Sequence, residues 1–502
     1  MTQICAMTTS TTTESAGDAE LTVIQEGLAK IAFHGDQATF YNPIQEFNRD
    51  LTVSVLRQFV ADRIKEREDK NESPAGEEEP SAKRKKFAIE DEDGSIRILD
   101  ALSASGLRAM RFSKEVPHVS SIVANDFSDN AVETIKRNIS LNEVESKVTA
   151  QFGDAIMTMM SHRGIDKRFH AVDLDPYGSA SPFLDSAVQC VADRGILMVT
   201  CTDMAVLCGN TPEACFNKYD AVPVRIKSCH EMALRILLRS IEAHASRYSR
   251  YIEPLVCVSV DFYVRVFVRV HTGARQAKDA ATKCSKLLIC TGCQSFELQP
   301  ILKKTVEGTS VRFTAPTVKY DLVGEGGRCT HCKHTIHEGG PIYSAPIHSV
   351  DFVSRLIASL ESTPEESRLG THKRLLGVLQ NVREELPSAP MYYLHDQLSF
   401  VVKVSVPKML DVRSAILNAG YKVSGSHCHP RAVKTDAPPS FLWDMCRKMV
   451  ENSSVDITRQ PEGVPGRIIL EKPRKSEVNF TPHAGAQQLQ KNEHYIRFQC
   501  NK

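Results

Sequence analysis

Ile96-Arg-Ile-Leu-Asp100-Ala-Leu-Ser-Ala-Ser-Gly106-Leu-Arg108 is a short apolar run ending in an acid, then a small-residue loop, then the start of a helical stretch that reaches Lys114. Strand, loop and helix in that order open a doubly wound parallel sheet, whose ligand crevice lies outside the carboxyl end of the strand. Leu102 and Ala104 stand where a G-x-G-x-x-G loop needs glycines to approach a pyrophosphate. The loop therefore suits a ligand without one.

Further along, the same alternation continues. Ser121–Asp126, Val148–Asp154, Phe169–Asp175, Gly195–Cys201 and Leu255–Val260 read as strands, with a helix over 130–142 between the first two. Val264, Val266, Val268 and Val270 alternate with Arg265, Phe267 and Arg269, as in a strand with two different faces. The fold class is α/β, Rossmann-like. After about residue 275 the pattern changes to helices near 350–362 and 372–385 and a strand over 399–405, which reads as an α+β C-terminal domain.

Acids close successive strands. Asp126 lies where a carboxylate accepts from both hydroxyls of a ribose, and Asp154-Ala155 offers a carboxylate and a backbone N–H to an adenine edge. With a loop unsuited to pyrophosphate, these point to S-adenosylmethionine. Arg49, near the start of an amphipathic helix, and Arg108 can clamp a carboxylate; surface ion pairs are the alternative for both.

A fourth strand ends in Asp175-Pro176-Tyr177-Gly178. A carboxylate and a proline carbonyl that both accept from an exocyclic amino group favour its tetrahedral form and free its lone pair for attack on a methyl. The alternative is an ordinary strand-to-turn exit. Phe40 or Tyr41 can stack on a base or sit in a core.

At 502 residues the chain is long enough for two or three domains, and 42% hydrophobic with 25% charged residues is a globular composition. The first seven residues carry no basic, apolar leader, so secretion is not expected. Fifteen cysteines then read as reduced thiols or metal ligands. The segment 65–95 has almost nothing to bury and reads as a disordered insertion. Its Lys83-Arg-Lys-Lys86 is either a nuclear signal or a solvated charge run.

Phe40-Tyr-Asn-Pro43, Asn48-Arg-Asp50, the 100–108 loop, Ala124-Asn-Asp126, Gly153-Asp-Ala155 and Asp173-Leu-Asp-Pro-Tyr-Gly178, in this order, resemble the tRNA (guanine(26)-N(2))-dimethyltransferase family, eukaryotic type. The match covers roughly residues 21 to 470. It implies a class I methyltransferase domain over 21–275 and a C-terminal tRNA-holding domain over 276–472; by composition, the Thr- and Ser-rich residues 1–20 and the tail 473–502 read as flexible ends. It further implies that Arg49, Arg108, Asp126, Asp154 and Ala155 bind S-adenosylmethionine, that Asp175 and Pro176 engage the guanine amino group, and that Phe40 stacks near the flipped base. tRNA is the implied partner, with no membrane partner, a monomeric chain and residence in the nucleus. A non-catalytic tRNA-binding protein with a vestigial methyltransferase fold is the competing function.

Cys290-Thr-Gly-Cys293 and Cys329-Thr-His-Cys332 are two C-x-x-C pairs suited to tetrahedral zinc. His331, His334, His337 and Cys284 compete as ligands, and metal-free thiols are the other reading. Gly420 to Pro438 resembles a family segment suited to tRNA backbone contact, though by spacing alone it is a polar loop. Arg225, Lys227, Arg235, Arg239, Arg247 and Arg250, in or beside a helix expected over 224–248, form either a solvated face or an RNA-facing stripe.

Overall fold

The computed structural model describes residues 11–14, 21–34, 41–72, 94–486 and 495–498. Phe40 and Lys83–Lys86 lie outside the described residues. Strands β1 (Thr11–Glu14), β2 (Leu21–Glu26) and β3 (Ala29–His34) form an antiparallel sheet, so part of the N-terminal segment expected to be disordered is paired. The Glu46–Glu72 helix then leads to the main sheet.

That sheet contains β4 (Ile96–Asp100), β5 (Val119–Asp126), β6 (Val148–Phe152), β7 (Phe169–Leu174), β8 (Val191–Cys201), β9 (Arg250–Val260) and β10 (Tyr263–Thr272), in the order β6-β5-β4-β7-β8-β10-β9. All neighbours are parallel up to β8, and β10 runs antiparallel to both β8 and β9. The chain winds outward from β4 in both directions, so the order reverses between β4 and β7. Asp100 and Asp173 are register partners there, and a crevice opens beyond them.

Both faces of the sheet are covered, and its strands alternate between two cores. Ile98, Ile196 and Met198 face one core with the 46–72, 107–115 and 129–142 helices; Leu99, Leu197 and Val199 face the other with the 184–190 and 229–246 helices. The Val350–Glu361 and His372–Glu384 helices join the first of these cores, and Asp50 accepts the Thr371 amide and hydroxyl at 2.9 and 2.7 Å. A third core gathers the four cysteines of the two C-x-x-C pairs with Trp443, Phe441 and Val402.

Three expectations are corrected. The stretch 399–405 is not a strand: His395–Val402 is a helix that buries Leu398, Val401 and Val402 at helical spacing and leaves Phe400 exposed. Helical structure extends through residue 72, because Glu66 is held by Arg269 at 2.5 Å and Asp62 by Arg355 at 2.8 Å, so the expected insertion begins later than 65. In the expected flexible tail, Ser476 donates its amide to Asp444 at 2.9 Å, Val478 is buried, and Arg497 pairs with Glu384 at 2.8 Å. No described helix is long and apolar enough to cross a membrane.

Candidate active site and four-cysteine centre

The loop after β4 is wound by its own side chains. Ser103 donates its hydroxyl to Asp100 at 2.6 Å and its amide to the Asn125 carbonyl at 2.9 Å. Ala104, with φ 50°, donates its amide to Asp126 at 2.9 Å, and Gly106, with φ 79°, turns the chain into the next helix. Only glycine adopts that left-handed turn without strain. Asp126 also accepts the Ser128 amide at 3.0 Å. Phe127 beside it is 72% exposed, an apolar ring with no core to cover it.

Asp154 caps the Ala155–Ser161 helix by accepting the Met157 amide at 2.9 Å. Ala155 is buried beneath it and Met157 exposed. Carboxylates at the ends of β5 and β6, with exposed apolar surface between them, form an acceptor set suited to a nucleoside.

At the end of β7 the chemistry concentrates. The Asp173 side chain is fully buried, while that of Asp175 is 20% exposed toward the crevice. Arg108 reaches both, bonding Asp175 through Nη2 and lying 3.5 Å from Asp173. Arg265, on β10, pairs with Asp173 at 2.7 Å and donates to Thr200 and Thr52 at 2.8 and 3.0 Å.

Three acids thus share two cations. Burial, with the Asp173 charge next, pushes the Asp100 carboxyl up to about 7, against the opposing pull of the Ser103 hydroxyl and Arg108. Burial would also raise Asp175, but the Arg108 and Arg265 charges and a hydrogen bond to Thr200 hold it below the ordinary aspartate value. Asp100 therefore holds its proton to higher pH than an ordinary aspartate, while Asp175 loses its proton at lower pH than one.

Pro176 is buried, and Tyr177 is 89% exposed. Gly178, at φ 85°, donates its amide to the Thr202 hydroxyl at 2.9 Å and accepts the Thr202 amide at 2.8 Å. The tetrapeptide is pinned to the end of β8, which fixes where the Pro176 carbonyl can point.

The Glu46–Glu72 helix closes the crevice from the other side. Asn48 lies 3.5 Å from Thr200 and Thr52 3.5 Å from Arg108. Asn48 is buried, and its Oδ1 has no hydrogen-bond partner among the described residues. Such an orphaned acceptor beside the three acids marks a place for a polar ligand. Arg49 faces elsewhere: its guanidinium forks onto Glu26, with Nε at 2.6 Å, and Nη2 also donates to the Asn42 carbonyl at 3.1 Å.

The structure therefore gathers Arg108, Asp126, Asp154, Ala155, Asp175 and Pro176 around the carboxyl ends of β4 to β7, and engages Arg49 in a neighbouring network of Glu26 and Arg111. Sequence reasoning missed Asp173, Arg265, Thr52 and Thr200. A charged residue inside each of two apolar strands was the available signal; the pairing itself joins residues far apart in the chain.

Two basic segments are corrected here. Val423–Ser426 and His429–Thr435 form a hairpin rather than a loop, with His427 buried against Glu385 at 2.5 Å and Lys434 against Glu231 at 2.7 Å. The stripe near 225–250 divides, because Arg235 pairs with Glu231 at 2.7 Å and Arg250 is buried on carbonyls of 191 and 192 at 2.8 and 2.9 Å.

Cys290, Cys293, Cys329 and Cys332 converge, all buried, with sulfurs within 4.8 Å of one another. Cys290 and Cys332 are 3.3 Å apart, Cys293 and Cys329 3.8 Å. His334 turns its Nδ1 to the Cys332 carbonyl at 3.0 Å, and Cys284 points its thiol at the Ala280 carbonyl.

The family model for N2,N2-dimethylguanosine tRNA methyltransferase matches residues 17–447. The chain is 63% identical to the tRNA (guanine(26)-N(2))-dimethyltransferase of Caenorhabditis elegans, over 96% of this chain and 91% of that one. Against the Homo sapiens protein of the same name the identity is 40%, over 97% and 77%. Among solved structures, Trm1 from Pyrococcus horikoshii in complex with S-adenosyl-L-methionine is 29% identical, with a TM-score of 0.65 over 86% of this chain and 98% of that one. With this fold and this crevice, the chain belongs to the N2,N2-dimethylguanosine tRNA methyltransferase family.

Proposed function

We propose that this chain transfers methyl groups from S-adenosylmethionine to the exocyclic 2-amino group of guanine 26 in tRNA, giving N(2),N(2)-dimethylguanosine. The observation that carries the chemistry is the largely buried Asp175, held ionised by Arg108, next to a proline carbonyl fixed by the Gly178–Thr202 bonds.

A guanine 2-amino group is a poor nucleophile because its lone pair is delocalised into the ring. Asp175 and the Pro176 carbonyl accept its two N–H groups, which localises the lone pair. Bound S-adenosylmethionine supplies the electrophilic methyl. Asp126, Asp154, Ala155 and Arg108 hold that ligand, and the orphaned Asn48 carbonyl oxygen and exposed Phe127 fit a polar nucleoside there. As the N–C bond forms the methyl–sulfur bond breaks, its electron pair staying on sulfur as a neutral thioether, and the amine gives up one proton; Asp175 already accepts that N–H and releases the proton to water through the crevice. The second transfer needs only one acceptor, since one N–H remains.

The target base must leave its stack, at a cost of a few kcal/mol. In this reading Phe40 stacks near the flipped base, and Arg49 meets the methionine carboxylate only if it exchanges Glu26 for it. Residues 276–472 hold the tRNA, the chain acts as a monomer, and Lys83–Lys86 directs it to the nucleus.

Four thiolates within 4.8 Å suit a zinc ion, which at Zn–S of ~2.3 Å spaces tetrahedral sulfurs by about 3.8 Å. With four protein ligands and no open position, the zinc is structural.

Tritiated S-adenosylmethionine and two unmodified tRNA transcripts, one with guanine and one with adenine at position 26, test the assignment. Label should enter only the first; equal labelling of both would refute it.

A further inference from the structure

Beside the four cysteines lies a cavity of about 600 Å³, between the Phe296–Pro300 strand, the 321–331 loop, the start of the Pro439–Glu451 helix and residues 472–475. Its lining combines the Phe296 ring and three prolines with three cations and three carboxylates.

Among the cations, Arg447 is 9% exposed and anchored: Nε donates to the Ile469 carbonyl at 2.8 Å and Nη1 to Asp444 at 2.5 Å. Nη2 has no partner among the described residues, so two guanidinium protons are left to a lining group of the cavity. Lys472 donates to the carbonyls of Thr330 and His331 and retains a third proton. Lys475 has no side-chain partner among the described residues, and the thirteen-residue helix presents its N-terminus through Pro438, Pro439 and Ser440. A helix N-terminus adds partial positive charge to the three cations. The lining also carries three carboxylates: Asp444 accepts the Lys475 and Ser476 amides as well as Arg447, Glu297 accepts the amides of Asp321 and Leu322, and Asp321 lines the cavity as well, so an anion is held by the free N–H groups of Arg447, Lys472 and Lys475 rather than by a net positive charge.

Phe296, also in the lining, is half-buried and already stacked on Tyr393, with centroids 4.6 Å apart and planes at 23°. A base laid against its open side extends a stack that is already ordered. The Asp321 carboxylate is exposed and has no hydrogen-bond partner among the described residues, which leaves it free to accept from an amino group.

We infer that this cavity takes one nucleotide of the bound RNA, other than the methylated one. Its base lies against Phe296 and Asp321, and its phosphate on Arg447, Lys472 and Lys475. Both halves of the site are needed: the cations alone suit any anion, while the aromatic face and lone carboxylate select a nucleotide. This inference rests on the tRNA reading above.

The test uses the full chain, an unmodified tRNA transcript and fluorescence anisotropy at fixed salt. Lys475→Glu, at an exposed position, and Phe296→Leu should each weaken tRNA binding at least about 5-fold, leaving S-adenosylmethionine affinity unchanged. Ultraviolet cross-linking should recover RNA on the peptide containing Phe296. Affinities within about twofold of wild type in both variants, with no cross-link to this cavity, would overturn the inference, including the case where an acidic peptide is the true occupant. A wild-type chain that fails to bind or methylate tRNA would instead sink the proposed function.

Discussion

Arg108 and Asp175, 67 residues apart in the chain, close on each other at the mouth of the crevice. The same guanidinium faces the sealed carboxylate of Asp173. The pair keeps Asp175 ionised despite its burial and leaves its exposed edge toward the crevice. Chemistry and fold stability therefore run through one cluster, and they separate by mutation.

Asp175→Asn keeps the shape but removes the anionic acceptor for the amine. Single-turnover methylation should fall about 10²- to 10³-fold, the scale of losing one group aimed at a transition state. Calorimetric titration should find S-adenosylmethionine binding intact. Undiminished turnover would remove Asp175 from the mechanism.

Arg265 is fully buried, and its loss leaves the sealed Asp173 carboxylate with only Arg108, 3.5 Å away and shared with Asp175. Arg265→Met should destabilise the fold by roughly 3 to 5 kcal/mol, read from urea denaturation. Adding Asp173→Asn in the same chain should recover much of that loss. If the double variant is no better than the single one, Arg265 acts through packing rather than charge.

Asp100 is raised from an ordinary 3.8 to about 7 in the folded chain. The folded state therefore binds more protons than the unfolded one between those values, and this group lowers stability as pH rises through the window. Asp100→Asn removes that dependence, and its side-chain oxygen still accepts from Ser103. The melting temperature of the variant minus that of wild type should grow more positive from about pH 5 to about pH 8. A flat difference would show that Asp100 does not hold its proton.

Zinc content is checked on the intact protein by elemental mass spectrometry, which should find one ion per chain. Cys329→Ser should lose it, lower the melting temperature and weaken tRNA binding, while S-adenosylmethionine still binds at the distant sheet. Full retention of stability in a metal-free protein would favour reduced thiols.

Much of this was legible in the chain because the central strands are apolar runs closed by acids: Ile96–Asp100 and Phe169–Leu174 lie where their composition places them. The Ser399–Ser405 run misled for the same reason. Short apolar runs suit either element, and only the third core, which buries Leu398, Val401 and Val402 together, selects a helix. Helix 46–72 outlasts its apolar pattern because Arg269 and Arg355, far along the chain, anchor Glu66 and Asp62. The crevice acids were readable as strand ends. The Arg265–Asp173 pair was not, since it depends on β10 running back through the sheet beside β8. Arg49 looked available for a ligand because nothing local to it announces Glu26 on β2.

The most direct test is mass spectrometry of the nucleosides released from an unmodified tRNA transcript after incubation with the protein and methyl-labelled S-adenosylmethionine. The account predicts N(2),N(2)-dimethylguanosine carrying two labelled methyls, mapped to position 26, preceded in time by the monomethyl form. Label on another base, at another position, or on no nucleoside at all would contradict it.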